Sequence, residues 1–181
     1  SNSDDPTAED LFEVGTMAKI LKMLVLPDGN TTIIIQGHSR FKIDEVTAEE
    51  PYLTAKVTAC TETPLNKKDK NVKALVQSLK DAAGKMLKLN PEIPQEAQVA
   101  LDNIDNPGFL THFLSSNLNV DVAQKQALLE VNDGMERGTQ LLEMMLREIQ
   151  LLELKQEIHT KVHTDLDQQQ RDYFLRQQIK V

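Results

Sequence analysis

The chain has 181 residues and a mass of 20.4 kDa, with 40% hydrophobic and 27% charged residues. That is enough for one ordinary domain or two small ones, and it excludes a disordered or fibrous chain. Twenty Lys and Arg against 28 Asp and Glu give a net charge of −8, which argues against nucleic acid as a partner. The low aromatic content and the absence of Trp argue equally against base-stacking platforms.

Residues 1–10 read as a cloning remnant, Ser1-Asn2, followed by a polar loop. From Val14 to about Glu62 the apolar pattern is short-range and rich in β-branched residues, and residues 11–65 are expected to form a β subdomain. Gly15 to Leu26 reads as one long strand, and Pro27-Asp28-Gly29-Asn30 carries the Pro and Gly of a tight turn. Thr31 to Gln36 pairs back as a hairpin, Gly37 marks a bulge, and Arg40 to Ile43 continues the strand. After Pro51, Leu53, Ala55, Val57 and Ala59 alternate with Tyr52, Thr54, Lys56 and Thr58, the period of a half-buried strand. Three or four strands are expected.

From Asn66 the period becomes helical, and residues 66–132 are expected to form a helical subdomain. Val72, Leu75, Val76, Leu79, Ala83, Met86 and Leu87 recur at three- and four-residue spacings. The run Lys67-Lys68-Asp69-Lys70 reads as a solvated loop entering this helix, and Asn90-Pro91 ends it. Pro94 opens a second helix, and Asn106-Pro107 opens a short one carrying Phe109, Phe113 and Leu114. Asp121 with Gln124, and Asp133 with Glu136, have capping-box spacing for two more. The last, residues 133–181, lacks Pro throughout and is expected to be one long helix. Its stripe, Leu141, Leu142, Met145, Ile149, Leu152, Ile158 and Val162, is expected to pack on the earlier helices. Asp167 to Asp172 is polar on every face and is expected to leave the core. The fold class is therefore α+β, a partial antiparallel β subdomain followed by helices.

Catalytic motifs are absent from the sequence. No Gly-rich loop ends in Lys-Ser or Lys-Thr, and Ser39, Ser78, Ser115 and Ser116 sit in no nucleophile elbow. Cys60 lies in a strand pattern and reads as structural; as a single cysteine it can form no internal disulfide. His159, His163 and Asp167 recur every four residues and could ligate zinc along one helical face, but Ile158, Val162 and Leu166 run beside them, and a solvated polar flank is the simpler reading. No catalytic, metal or cofactor site is assigned. Met135, Met144 and Met145 resemble Met-rich grooves that grip apolar segments, yet methionine on an amphipathic helix is more often core filler. Phe113, Met144 and Met145 are taken as candidate substrate contacts, and Tyr173, Phe174 and Ile179 as candidate contacts to a further domain. No signal peptide and no apolar run of about 20 residues occurs, so a cytoplasmic protein without membrane contact is expected.

Several stretches carry a family resemblance. They are Val14-Gly15-Thr16-Met17-Ala18-Lys19-Ile20, the turn Asp28-Gly29, Ile33-Ile34-Ile35-Gln36-Gly37 before Arg40-Phe41-Lys42-Ile43, and Tyr52-Leu53-Thr54-Ala55-Lys56-Val57. The helix start Asn106-Pro107-Gly108 and the tail Gln170-Arg171-Asp172-Tyr173-Phe174-Leu175-Arg176-Gln177-Gln178 extend the series. In this order, over about 165 residues, the chain resembles the amino-terminal region of Lon ATP-dependent proteases. The resemblance implies a PUA-like β domain that helps select unfolded or damaged proteins, a helical subdomain, and a long helix leading to an AAA+ ATPase and a Ser-Lys peptidase. It implies a hexamer, with ATP and Mg used by modules whose motifs this chain lacks. It also implies opening strands ahead of Val14 that are missing here. The uncapped Lys180-Val181 is as expected of a chain that continues. The competing reading is a stand-alone helical adaptor or PUA-like binding module with no protease attached; charge weighs against its RNA-binding version.

Overall fold

The computed structural model describes residues 5–90, 92–94 and 96–179. Ser1-Asn2, Pro91 and Lys180-Val181, each of which carries an expectation above, lie outside the described residues. The elements run in the order β1 (Val14–Val25), β2 (Thr31–Ala48), β3 (Thr54–Ala59), α1 (Lys70–Leu89), α2 (Glu96–Asp102), α3 (Pro107–Asn117), α4 (Val122–Glu130) and α5 (Gly134–Gln178), with a short 3-10 turn at Ala8–Asp10 ahead of them. An antiparallel sheet in the order β1-β2-β3 is followed by helices, the α+β class expected. The chain divides into two compact units, residues 1–65 with 115–137, and residues 66–114 with 138–181.

In the first unit, β1 and β2 form a hairpin whose turn is fixed by Asp28. Its carboxylate accepts from the Asn30 backbone N–H at 3.0 Å and from Asn30 Nδ2 at 2.9 Å, while Gly29 takes φ 86°. β2 runs from Thr31 to Ala48 through Gly37, and the bulge expected at Gly37 is present. The irregularity is a register shift in which Met17 faces Ser39 and Ala18 faces Gly37, leaving His38 as the extra residue. Gly15 faces Phe41, and a Cβ on Gly15 would lie 2.8 Å from the ring; the glycine is what lets the ring lie across the strand. β3 pairs only with the Phe41–Ala48 part of β2, so the hairpin from Met17 to Gln36 is two-stranded.

α4 belongs to the same unit. Asp121 caps it, accepting from the Gln124 N–H at 2.8 Å. The unit is closed by buried charge. Arg40 Nη1 donates to the carbonyls of Leu129 (2.7 Å) and Val131 (3.2 Å) and to Asn132 Oδ1 (3.3 Å). Arg137, 1% exposed, donates through Nε to Leu128 O (3.2 Å), through Nη1 to Glu62 Oε1 (2.6 Å), and through Nη2 to Val131 O. Thr63 pairs with Asp133 beside this cluster.

In the second unit, α1 begins at Lys70, at the end of the charged run expected to lead into it, and Asp69 is the cap: its side chain accepts from the Asn71 N–H at 2.8 Å. Val72, Leu75, Leu79, Ala82 and Ala83 of α1, Leu101 of α2, Leu110 and Leu114 of α3, and Leu141, Met145 and Ile149 of α5 are its buried apolar residues. Burying each large aliphatic contributes about 1.5–3 kcal/mol. Gly138 lets α5 approach α1: a Cβ there would lie 2.5 Å from Leu75 Cδ2. α5 starts at the cap Asp133, whose Oδ1 accepts from the Glu136 N–H at 2.9 Å, and runs 45 residues, about 67 Å at 1.5 Å per residue.

The packed stripe of α5 is shorter than its sequence suggested. Ile158 and Val162 are 56% and 51% exposed, and every described residue from Leu154 onward is exposed. The physical reason is angular. Leu141, Met145, Ile149 and Leu152 lie on one side, whereas Leu151, Leu154, Ile158, Val162 and Leu166 lie on another, roughly a third of a turn away at 3.6 residues per turn.

Candidate functional site

In the first unit, exposed large apolar residues cluster at the hairpin end. Ile20 (62% exposed), Leu21, Met23, Ile33, Ile34 and Ile35 are all exposed, and because strand residues alternate they occupy both faces. A two-stranded ribbon without a covered face is marginal by itself, and an apolar patch of this kind marks a place that something else contacts. The strand pattern is plain in the sequence, but none of these side chains is among the candidate contacts named above. The available signal was the unbroken Ile33-Ile34-Ile35 run, which cannot be satisfied by one buried face.

In the second unit the exposed apolar feature is aromatic. Phe109 and Phe113 stand one turn apart on α3 with ring centroids 6.1 Å apart and planes at 25°, and are 59% and 39% exposed. Asn106 sets this geometry by capping α3, its Oδ1 accepting from the Phe109 N–H at 3.0 Å. Of the three candidate substrate contacts, Phe113 is therefore on the surface, Met144 is half-buried, and Met145 is 1% exposed within the core. Tyr173 and Phe174 are exposed and meet edge to face at 6.4 Å, and Ile179 is 83% exposed; the two sets lie at separate places along the chain.

A depression of about 900 Å³ in the second unit is lined by Lys80, Lys85 and Lys88 with Asp81 and Asp102. Two of its cations are already engaged: Lys80 Nζ donates to Asp102 O at 2.9 Å, and Lys85 Nζ meets Glu153 at 2.7 Å. With carboxylates on its wall and no loop of backbone N–H groups, it does not fit a nucleotide phosphate. His159 and His163 are exposed, and among the described residues no three His, Cys, Asp or Glu side chains gather to hold a metal ion. Cys60 is half-buried, its N–H donating to Arg40 O at 3.0 Å. Among the described residues no helix is long and apolar enough to cross a membrane. Hydrogen bonds from the Asn30 backbone and side chain hold Asp28 below the ordinary carboxylate range, and those from the Thr7 backbone and side chain do the same for Asp10.

The sequence profile of the ATP-dependent protease La (LON) substrate-binding domain matches residues 1–147. The chain is 61% identical over 179 residues to a Lon protease of Cytophaga hutchinsonii and 47% identical over 177 residues to one of Flavobacterium johnsoniae, covering 99% and 98% of this chain and 22% of each relative. It thus spans about a fifth of the length of the curated relatives it matches. Among solved structures it is similar to the N-terminal domain of Lon protease from the Mycobacterium avium complex, at 26% identity and a TM-score of 0.63, covering 77% of this chain and 74% of that one. A substrate-binding profile over most of its length, relatives alike from end to end of it, and a shared fold together show that the chain belongs to the Lon substrate-binding domain family.

Proposed function

We propose that this chain captures unfolded or damaged polypeptide for an ATP-dependent serine protease of the Lon type, and that it contributes neither ATP hydrolysis nor peptide-bond cleavage itself. The observation that carries the reading is the pairing of a substrate-binding family profile with exposed apolar surface on each unit, the hairpin end on one and the Phe109–Phe113 pair on the other. Unfolded chains differ from folded ones chiefly in exposing apolar side chains, so a surface that selects them needs apolar area more than a motif. Met144, half-buried beside the core, supplies adaptable area; Met145 offers none as folded.

The whole enzyme would work as a hexamer in the cytoplasm, using ATP and Mg in modules outside this chain, with Tyr173, Phe174 and Ile179 meeting a further domain. Six weak capture sites around one ring raise the effective concentration of a tethered substrate without any single site being tight. The test compares the intact protease with a Phe109→Ser/Phe113→Ser version, using a permanently unfolded protein and a short peptide reporter. The reading expects slower degradation of the unfolded protein with peptide cleavage and ATP turnover intact. Equal degradation by both versions counts against the aromatic surface, and turnover of ATP or casein by the isolated chain overturns the non-catalytic assignment.

A further inference from the structure

The outer half of α5 carries two histidines one turn apart on a length of helix that nothing else supports. His159 and His163 are both exposed, as is every described residue from Leu154 onward. Residues i and i+4 are neighbours on a helix, with Cβ atoms about 5–6 Å apart and side chains leaning the same way along the axis. Two imidazoles so placed can each bring a ring nitrogen to about 2.1 Å from one ion. Asp167 lies eight residues from His159, about 12 Å along the axis, too far to share that ion, so among the described residues no set of three ligands gathers. The same turns are a weak length of helix. Thr160, Val162, Thr164, Asp165 and Asp167 are poor helix formers. Thr160 Oγ1 donates to Gln156 O and Thr164 Oγ1 to Thr160 O, both at 2.9 Å, contacts that bend a helix and slightly loosen it. No core offsets this, so these turns open before the packed half does.

We propose that His159 and His163 form a two-ligand clamp for a divalent transition metal, with water filling its other positions, and that the bound ion pins these turns of α5 in their helical form. The chemistry of the pair selects the ion. Neutral imidazole suits Cu2+, Ni2+ and Zn2+ and offers little to Mg2+ or Ca2+, which take oxygen ligands. Among the first three, affinity is greatest for Cu2+. Asp167, one turn beyond His163, adds negative charge on the same face, and Lys155, one turn before His159, opposes it; both are exposed, so salt and water screen both. The two rings converge only while the turn between them is helical. The ion therefore binds the helix and not the opened chain, and its binding free energy becomes helix stability. With two protein ligands the site is open and exchangeable, unlike a closed structural zinc site. The inference stands apart from the substrate reading and does not need it.

Titration of the whole chain, free of any histidine tag and carrying Cys60→Ser to remove the competing thiol, tests the clamp. Calorimetry with Cu2+, Ni2+ and Mg2+ reads the affinity, and amide exchange resolved by residue reads the helix. Saturable binding of Cu2+ at one tight site, weaker binding of Ni2+ and none of Mg2+ is the expected order. At free Cu2+ ten times its Kd, exchange of residues 156–166 slows by about elevenfold while that of α1 is unchanged. His159→Ala or His163→Ala weakens binding by at least about tenfold, because the second ligand no longer acts at high effective concentration. His163→Ala/Lys161→His keeps two imidazoles but sets them on opposite sides of the helix, and it loses the tight site as well. No saturable binding of Cu2+, tight binding kept by His163→Ala/Lys161→His, or tight binding without slowed exchange at residues 156–166 each overturns the proposal.

Discussion

Replacing Arg137 by Met tests how the first unit is held together. Arg137 is 1% exposed and joins two distant stretches of chain, binding Glu62 beyond β3 on one side and the Leu128 and Val131 carbonyls at the end of α4 on the other. Methionine fills similar volume but donates nothing. The Leu128 carbonyl then loses this side-chain donor, and Val131 O keeps the hydrogen bond from Arg40. Glu62 is 35% exposed and can rehydrate, and Arg40 still stands 3.7 Å away, so the cost belongs at the low end for breaking a buried pair, about 3 kcal/mol. With m about 2 kcal/mol per molar urea, the midpoint falls by about 1.5 M. Glu62→Ala is expected to cost at least as much, because it leaves two buried guanidiniums facing each other, and Arg40 Nη2 already has no hydrogen-bond partner. Amide exchange resolved by residue is the assay, since the loss is expected in β2, β3 and α4 before α1. A shift below about 0.5 M, or one no larger than that of Arg147→Met at an exposed position, refutes the reasoning.

Along α5, Leu141→Ala at a fully buried site is expected to cost about 3 kcal/mol, and Ile158→Ala in the same helix under about 0.5 kcal/mol in a dilute monomer; chemical denaturation of both variants checks where packing ends. Asp28 is held below its ordinary pKa by Asn30, so its contribution to the turn is fully present above the ordinary carboxylate range and is lost as pH falls through the lowered value. Proton NMR of the Asn30 amide should follow that titration, and Asp28→Asn should flatten it.

Much of this fold was legible because it depends on local chemistry. The caps Asp121 and Asp133, the start of α3 at Asn106-Pro107 and the hairpin turn at Asp28-Gly29 are each written within a few residues of chain. What depended on distant partners was not legible. The stripe of α5 has the same residue types before and after Leu152, and only the position of the other helices decides which leucines find a core. Arg40, Glu62 and Arg137 come together from positions 22 and 75 residues apart; in the sequence they are three ordinary charges. The exposed hairpin was read correctly as strand, yet its apolar residues on both faces gained meaning only when β3 was seen to stop short of them. The functional class came from ordered resemblance and not from any motif, because binding of unfolded chains leaves no fixed constellation of side chains.

The most direct test of the central claim is to titrate this chain against one protein in two states, native with its disulfides intact and permanently unfolded by reduction and alkylation. Fluorescence anisotropy of the labelled partner reads the binding. Saturable, weak binding to the unfolded form, little to the native form, and loss on Phe109→Ser/Phe113→Ser or on placing charges at Ile20 and Ile34 is the expected result. No saturable binding of the unfolded form at the highest soluble concentration, or equal binding of both forms, contradicts the assignment of this chain as a surface that selects unfolded polypeptide.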